Sequence, residues 1–392
     1  MTERYNSAVQ ILISAGEASG EMYGAQLIEA LRRRDPSLTF FGAGGERMRA
    51  AGCDIVVDAK ELAVVGITEI VSHLPNILGL FKKLVRAADE RKPALAVVID
   101  SPAFNWRVAR QMHKRGIPVV YYVCPQFWAW RQGRVRLLRK YVDKALVIFP
   151  FEEKFYRDRG VDATFVGHPL ADLPMPAISR EEYAKQNGLD ADKHWITLMP
   201  GSRRKEVRMN LPPILEAMEK LGAEYEFLLP VARTLEVGFL KSLIFGSGKE
   251  TAQAPSLPRV RLVDEALPAL RLSRAAIVAS GTATVEAALM ETPFVMVYRV
   301  SPITYALGKP RVKVPYYAMV NLISGERVVP ELVQADFTPE NIVRELKNII
   351  PDGPGRETMI RGLKQVRQKL RKPDGDGHPA ERAAEIVIRM LG

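Results

Sequence analysis

The chain has 392 residues, which is too many for one hydrophobic core and points to two domains. It is 47% hydrophobic and 26% charged, the balance of an ordinary globular protein, and its net charge of +11 calls for an anionic partner such as a phospholipid, a phosphorylated substrate or nucleic acid. Two cysteines and five histidines without metal-ligand spacing argue against a disulfide framework and a dedicated metal site.

The N-terminus lacks the shape of a signal peptide, and the longest apolar stretch, 62–81, is interrupted by Glu69, His73 and Pro75. The expected location is therefore the cytoplasm. Apolar runs predict strands at 9–14, 39–42, 95–99, 119–123 and 145–148, with helical period between them, as at 104–115. A proline-rich stretch at 172–176 reads as a linker. Strand–helix alternation then restarts at 196–199, 226–229, 260–262, 276–279 and 294–297. The segment 357–391 is largely helical and is expected to pack back on either half, with a break in order around 372–377. This alternation predicts an α/β protein with two doubly wound, Rossmann-like domains, 1–172 and 173–360, facing a cleft, and a helical segment at 361–392.

Four turns follow predicted strands and carry residues suited to chemistry. The run Ser-Ala-Gly-Glu-Ala-Ser-Gly-Glu at 14–21 opens a helix, where Glu17 suits a sugar hydroxyl and Ser19 is either a ligand contact or the helix cap. Asp100 ends a strand, where a carboxylate serves as a general base if its pKa is raised, or caps the next helix. Gly201, Ser202 and Arg203 offer N–H groups and a guanidinium fork to a diphosphate. Gly281 and Thr282 offer another phosphate turn, and Glu286 a carboxylate for ribose hydroxyls; the plainer alternative is Thr282 as a cap and Glu286 as a solvated residue.

Two further segments combine apolar and basic residues. Pro-Gln-Phe-Trp-Ala-Trp-Arg at 125–131 leads into Arg134 and further cations, a mixture that suits a lipid interface better than single-stranded nucleic acid, or a core with a basic helix face. At 62–83, after the apolar pair Val64 and Val65, Ile67, Ile70, Val71 and Leu74 share helical spacing, and Pro75 restarts the pattern with Ile77, Leu78, Leu80 and Phe81. That run fits an interfacial helix or a buried one.

Together these segments resemble the lipid-A-disaccharide synthase family. The resemblance runs in order through Ile-Asp-Ser-Pro-x-Phe-Asn at 99–105, Phe-Pro-Phe-Glu at 149–152, Val-Gly-His-Pro at 166–169, Met-Pro-Gly-Ser-Arg at 199–203, Ala-Ser-Gly-Thr-Ala-Thr-Val-Glu at 279–286 and Val-Asn-Leu-Ile at 320–323. It implies the GT-B fold and inverting, metal-independent transfer of diacylglucosamine from UDP to diacylglucosamine 1-phosphate, with no cofactor. It further implies Asp100 as base, Arg203 and the Gly281–Thr282 turn on the leaving UDP, Glu286 on the ribose and Asn321 lining the nucleotide site. The 64–81 segment would meet acyl chains, and Arg131 and Arg134 the acceptor phosphate. The enzyme would be a monomer or homodimer held peripherally on the anionic cytoplasmic face of the inner membrane. The family motif carries a second acid where this chain has Ala103. Competing readings are a UDP-GlcNAc epimerase, a glycosyltransferase with a soluble acceptor, and a non-catalytic binding protein.

Overall fold

The computed structural model describes residues 9–63, 70–172, 174–232, 234–245, 260–372 and 377–392. The chain forms two compact units, one of residues 1–172 with 370–392 and one of residues 173–369.

Unit 1 holds a seven-stranded parallel sheet: β1 (Gln10–Ala15), β2 (Thr39–Gly44), β3 (Cys53–Asp58), β4 (Leu95–Ile99), β5 (Val119–Tyr122), β6 (Lys144–Val147) and β7 (Ala163–Phe165), in the order β3-β2-β1-β4-β5-β6-β7. The central strands are apolar without alternation because helices cover both faces; all five residues of β4 are buried. The helix after β1, Ala18–Arg34, has Glu21 in its first turn and Arg32, Arg33 and Arg34 in its last, each complementing the helix dipole. The helix after β4, Pro102–His113, starts on a proline and buries Phe104, Val108 and Met112 at four-residue spacing.

Unit 2 holds a six-stranded parallel sheet: β8 (His194–Met199), β9 (Tyr225–Pro230), β10 (Val260–Val263), β11 (Ala275–Ala279), β12 (Phe294–Tyr298) and β13 (Glu331–Val333), in the order β10-β9-β8-β11-β12-β13. The helical segment at the C-terminal side is shared out. The Pro354–Leu370 helix packs on unit 2, where Met359 Sδ accepts from Phe294 N at 3.3 Å and Arg367 pairs with Glu291 at 2.9 Å. The Pro379–Leu391 helix lies on the Ala18–Arg34 helix of unit 1, with Glu381 between Arg33 and Arg34.

Three strands had no sequence signal: β3, β7 and β13. Each is an edge strand, and β7 and β13 are three residues long. Edges carry fewer buried positions, so their apolar pattern is weak. The expected break at 372–377 falls mainly on Pro373–Asp376, which lie outside the described residues.

The apolar segment in the first half differs from its expected layout. Val64, Val65 and Ile67 lie outside the described residues, while Ile70, Val71 and Leu74 fall in a single helix, Ile70–Arg91, that runs through Pro75 without a restart. Ile77 and Phe81, expected at a membrane or acyl chain, pack instead on the core of unit 1, where Phe81 meets Phe104 edge-on with centroids 5.9 Å apart. The helix turns one apolar stripe to the sheet, and that stripe includes both residues. Leu78 faces outward and is 48% exposed. Among the described residues, no helix is long and apolar enough to cross a membrane.

Candidate active site

In each sheet one pair of adjacent strands marks the point where the strand order reverses. In unit 1 that pair is β1 and β4, and in unit 2 it is β8 and β11. Open parallel sheets bind ligands outside the carboxyl ends of such strands, because the connections that follow leave in opposite directions and open a crevice. All four turns singled out from sequence lie at these two points.

In unit 1 the two turns are locked together. Ser14 Oγ donates to Asn105 Oδ1 at 2.7 Å, and Asn105 Nδ2 lies 3.1, 2.8 and 3.0 Å from the carbonyls of Ser14, Ile99 and Asp100. Tyr121 Oη donates to the Asp100 carbonyl at 2.8 Å. This network holds Asp100 and Ser101 at φ +48° and +47°, a left-handed conformation that non-glycine residues seldom adopt. Gly16 is needed opposite: a Cβ there would stand 2.5 Å from Ser101 Oγ. Burial first, and then the charge of Glu17, push the Asp100 carboxyl up to about 6. A partly buried carboxyl of that acidity at a strand end is a competent general base near neutral pH.

Neither Ser19 nor Asp100 is a helix cap. The first helix begins at Ala18 with Glu17 as its extended cap residue, so Ser19 sits inside the first turn and does not cap it. Ser101, not Asp100, occupies the cap position of the next helix. Ala103 lies exposed in that helix's first turn.

In unit 2, Gly201 and Gly281 both take positive φ, +129° and +139°, where the chain leaves β8 and β11. The Glu206 carboxylate folds back over the first turn, accepting from Ser202 N at 3.3 Å, Arg203 N at 3.4 Å and an Arg203 guanidinium N–H at 2.8 Å. Ser202 and Arg203 are exposed, as are Gly281 and Thr282 of the second turn. Thr282 does occupy the cap position before the Ala283–Leu289 helix, but its side chain makes no capping bond. Glu286, one turn in, is not the solvated residue of the plainer alternative: burial pushes its carboxyl up to about 7. Tyr298 stacks on Tyr317 at 5.8 Å beside the second turn, and Ser280 Oγ donates to the Tyr317 carbonyl at 2.9 Å.

Asn321 has a different task from the expected nucleotide contact. Its side chain is fully buried; Oδ1 accepts from Val328 N and Val329 N, and Nδ2 donates to the Val329 carbonyl and to Glu331 Oε1. That amide is consumed in tying the Met319–Ser324 helix to β13, and a ligand would have to break the network to use it.

The aromatic–basic segment splits. Trp128 is core, donating Nε1 to Glu152 Oε1 at 2.8 Å, while Trp130 is 48% exposed with the Arg131 guanidinium 3.9 Å from its ring centroid. Arg131 and Arg134 are both exposed. Glu152 also accepts from Ile148 N and Phe149 N, and burial pushes its carboxyl up to about 7. Asn105, Tyr121, Glu152 and Glu206 were missed as organisers. Asn105, Glu152 and Glu206 sit in or beside the quoted motifs, but their partners are set by the tertiary fold.

A model of the lipid-A-disaccharide synthetase family matches residues 11–385. The chain is 53% identical over 383 residues to the lipid-A-disaccharide synthase of Koribacter versatilis (strain Ellin345), covering 97% of this chain and 98% of that protein. It is 41% identical to the synthase of Geobacter sulfurreducens (strain ATCC 51573 / DSM 12127 / PCA), covering 100% and 99%. Among solved structures it resembles the glycotransferase of kitacinnamycin, with TM-score 0.65, 16% identity and coverage of 99% and 100%. It also resembles a UDP-GlcNAc 2-epimerase from Neisseria meningitidis bound to UDP-GlcNAc, with TM-score 0.59, 13% identity and coverage of 98% of this chain and 99% of that one. The two-domain GT-B fold is common to them.

Proposed function

The chain belongs to the lipid-A-disaccharide synthetase family, and from that premise we propose how it forms the lipid A disaccharide: it transfers 2,3-diacylglucosamine from UDP to the 6-hydroxyl of 2,3-diacylglucosamine 1-phosphate, by an inverting and metal-independent route. The observation that carries the mechanism is Asp100, a carboxyl pushed up to about 6 and held at the switch point of unit 1. As base it takes the proton from the acceptor hydroxyl while that oxygen bonds to the anomeric carbon and the bond to the UDP oxygen breaks. Glu17 and Ser19 line the sugar.

The leaving diphosphate is received in unit 2. Gly201, Ser202 and Arg203 supply two backbone donors and a guanidinium, Gly281 and Thr282 supply the second turn, and Glu286 accepts from the ribose. Incoming phosphate takes over the donors that Glu206 now occupies. Arg131 and Arg134 meet the acceptor phosphate, and Leu78, exposed on the outward face of the Ile70–Arg91 helix, meets acyl chains at the anionic surface of the inner membrane.

Incubation with UDP-diacylglucosamine and diacylglucosamine 1-phosphate, followed by mass spectrometry, tests the reading. Disaccharide 1-phosphate and equimolar UDP are expected, with turnover abolished and UDP affinity kept in Asp100→Ala. Undiminished turnover in that variant removes Asp100 as base.

A further inference from the structure

The two most exposed large apolar side chains among the described residues are Ile303, at 74%, and Leu307, at 60%. Both lie on the Pro302–Gly308 helix of unit 2, four residues apart and therefore on one face. No residue of this helix, or of the Lys309–Arg311 turn that follows it, is buried. The segment is nevertheless built rather than slack. Ser301 Oγ caps the helix by accepting from Thr304 N at 3.3 Å, and Pro302 starts it. At its root, Val300 is clamped by Gln334, whose Oε1 accepts from Val300 N at 2.8 Å and whose Nε2 donates to the Val300 carbonyl at 3.1 Å.

The charge around this face has one sign. From Thr292 to Gly325 the sequence holds no Asp or Glu, while Lys309, Arg311 and Lys313 follow the helix directly and are exposed. None of the three forms an ion pair among the described residues. Arg311 donates to the Leu307 carbonyl and Lys309 lies 5.5 Å from the Tyr305 ring centroid, so both stay on this face. A short apolar face flanked by cations without acidic partners matches the chemistry of an anionic bilayer: aliphatic side chains enter the acyl boundary and cations meet headgroup phosphates. The segment also leaves the sheet at the right place. It follows the carboxyl end of β12, the strand paired with β11 through Val297 and Ala279, so it starts beside the Gly281–Thr282 turn.

We propose that residues 302–313 form a membrane-docking element of unit 2, with Ile303 and Leu307 entering an anionic lipid surface and Lys309, Arg311 and Lys313 binding its headgroups. This element is separate from the 64–81 segment, and it rests on the reading of the chain as an enzyme that takes an acylated donor. It seats the bilayer next to the diphosphate turns, where a donor's acyl chains have to leave the membrane.

The test uses the full chain and vesicles of phosphatidylcholine with or without phosphatidylglycerol. Ile303→Ser with Leu307→Ser is expected to lower partitioning into the mixed vesicles about tenfold or more. Neutralising Lys309, Arg311 and Lys313 to Gln is expected to lower it about fivefold per charge on mixed vesicles and little on phosphatidylcholine alone. Both variants should keep wild-type UDP affinity. An environment-sensitive fluorophore on Ile303→Cys, selective because Cys53 and Cys124 are buried, should shift to the blue on adding mixed vesicles. If wild type binds vesicles, and both variants bind as well with the label silent, the element is overturned while the surface-bound enzyme stands. If wild type does not bind at all, both fall. If the serine variant instead loses a dimer without losing vesicle binding, the face is a contact between copies, and the proposal is wrong.

Discussion

Ser14 and Asn105 exchange hydrogen bonds across the switch point of unit 1: the Ser14 hydroxyl donates to the Asn105 amide oxygen at 2.7 Å, and the Asn105 amide nitrogen lies 3.1 Å from the Ser14 carbonyl. The pair welds the end of β1 to the helix that follows β4. It also holds the Asp100 carbonyl, through the same amide. Asn105→Ala leaves several buried polar groups without partners, and should cost about 2–4 kcal/mol of stability. It should also lower kcat by freeing the strained Asp100–Ser101 turn, while UDP affinity, proposed to reside in unit 2, stays near wild type. Denaturant unfolding, steady-state kinetics and UDP calorimetry together check this; a loss of stability with unchanged kcat would show that the weld does not position the base.

The raised pKa of Asp100 has two sources, and one can be removed. Burial acts first and the Glu17 charge second. A base must be deprotonated to act, so kcat/KM should fall as pH drops below about 6. Glu17→Gln deletes the like charge, and should move that acidic limb to lower pH. The limb should remain above the ordinary carboxylate position, 3.8, because burial persists. A pH–rate profile that keeps its limb in Glu17→Gln would mean that the two carboxylates do not sense each other.

The same raised pKa sets a stability cost. The folded state holds the Asp100 proton more tightly than the unfolded chain does, so stability falls as pH rises from about 4 to about 6 and stays lowered above that window. Asp100→Asn keeps a residue that tolerates the left-handed backbone but cannot ionise. At pH near 7.5 it should raise stability, by up to about 3 kcal/mol, and at pH near 3 by almost nothing. Melting temperature followed against pH in both proteins decides it; a variant no more stable at any pH would place the Asp100 carboxylate in a better solvated site.

What sequence could show, and what it could not, follows from the range of the interactions involved. The central strands were legible because burial on both faces leaves an unbroken apolar run, as in β4. The four turns were legible because a glycine or serine bend between strand and helix has a local residue signature. Edge strands such as β3, with Asp at two of its six positions, carry too little apolar pattern to stand out. Side-chain partners across the fold carry none: nothing near Asn321 announces Glu331 as its acceptor, and nothing near Trp128 announces Glu152. Hence Asn321 was read as a ligand contact, and Trp128 could not be assigned between interface and core, when each completes an internal network. Ile77 and Phe81 were misplaced for a related reason, since an amphipathic stripe reads alike whether it faces a sheet or a membrane.

Arg203 reaches Glu206 through its guanidinium at 2.8 Å, and so is already aimed across the Gly201–Ser202 turn. Arg203→Ala should lower kcat by about a hundredfold or more if the guanidinium receives developing charge on the diphosphate. Arg203→Lys should recover only a small part, because a point charge cannot replace a planar fork at a bidentate contact. Full rescue by lysine would mean that simple positive charge is all the turn requires.

If Glu286 is the ribose acceptor proposed above, nucleotide binding carries a proton signature. Burial alone pushes its carboxyl up to about 7, so near neutral pH the empty site is a mixture of protonated and ionised forms. Ribose hydroxyls donating to the carboxylate favour the ionised form, and UDP binding should therefore release protons around pH 7. Calorimetric enthalpies measured in two buffers of different ionisation heat should diverge there and converge well above pH 8. Affinity should weaken as pH falls below 7, approaching about tenfold per unit where only the ionised form binds. Glu286→Gln should bind UDP more weakly and lose both the buffer dependence and the pH slope. A wild-type affinity that is flat across this range would exclude Glu286 as the ribose acceptor, and the buried carboxyl would then belong to the packing of the helix that follows β11.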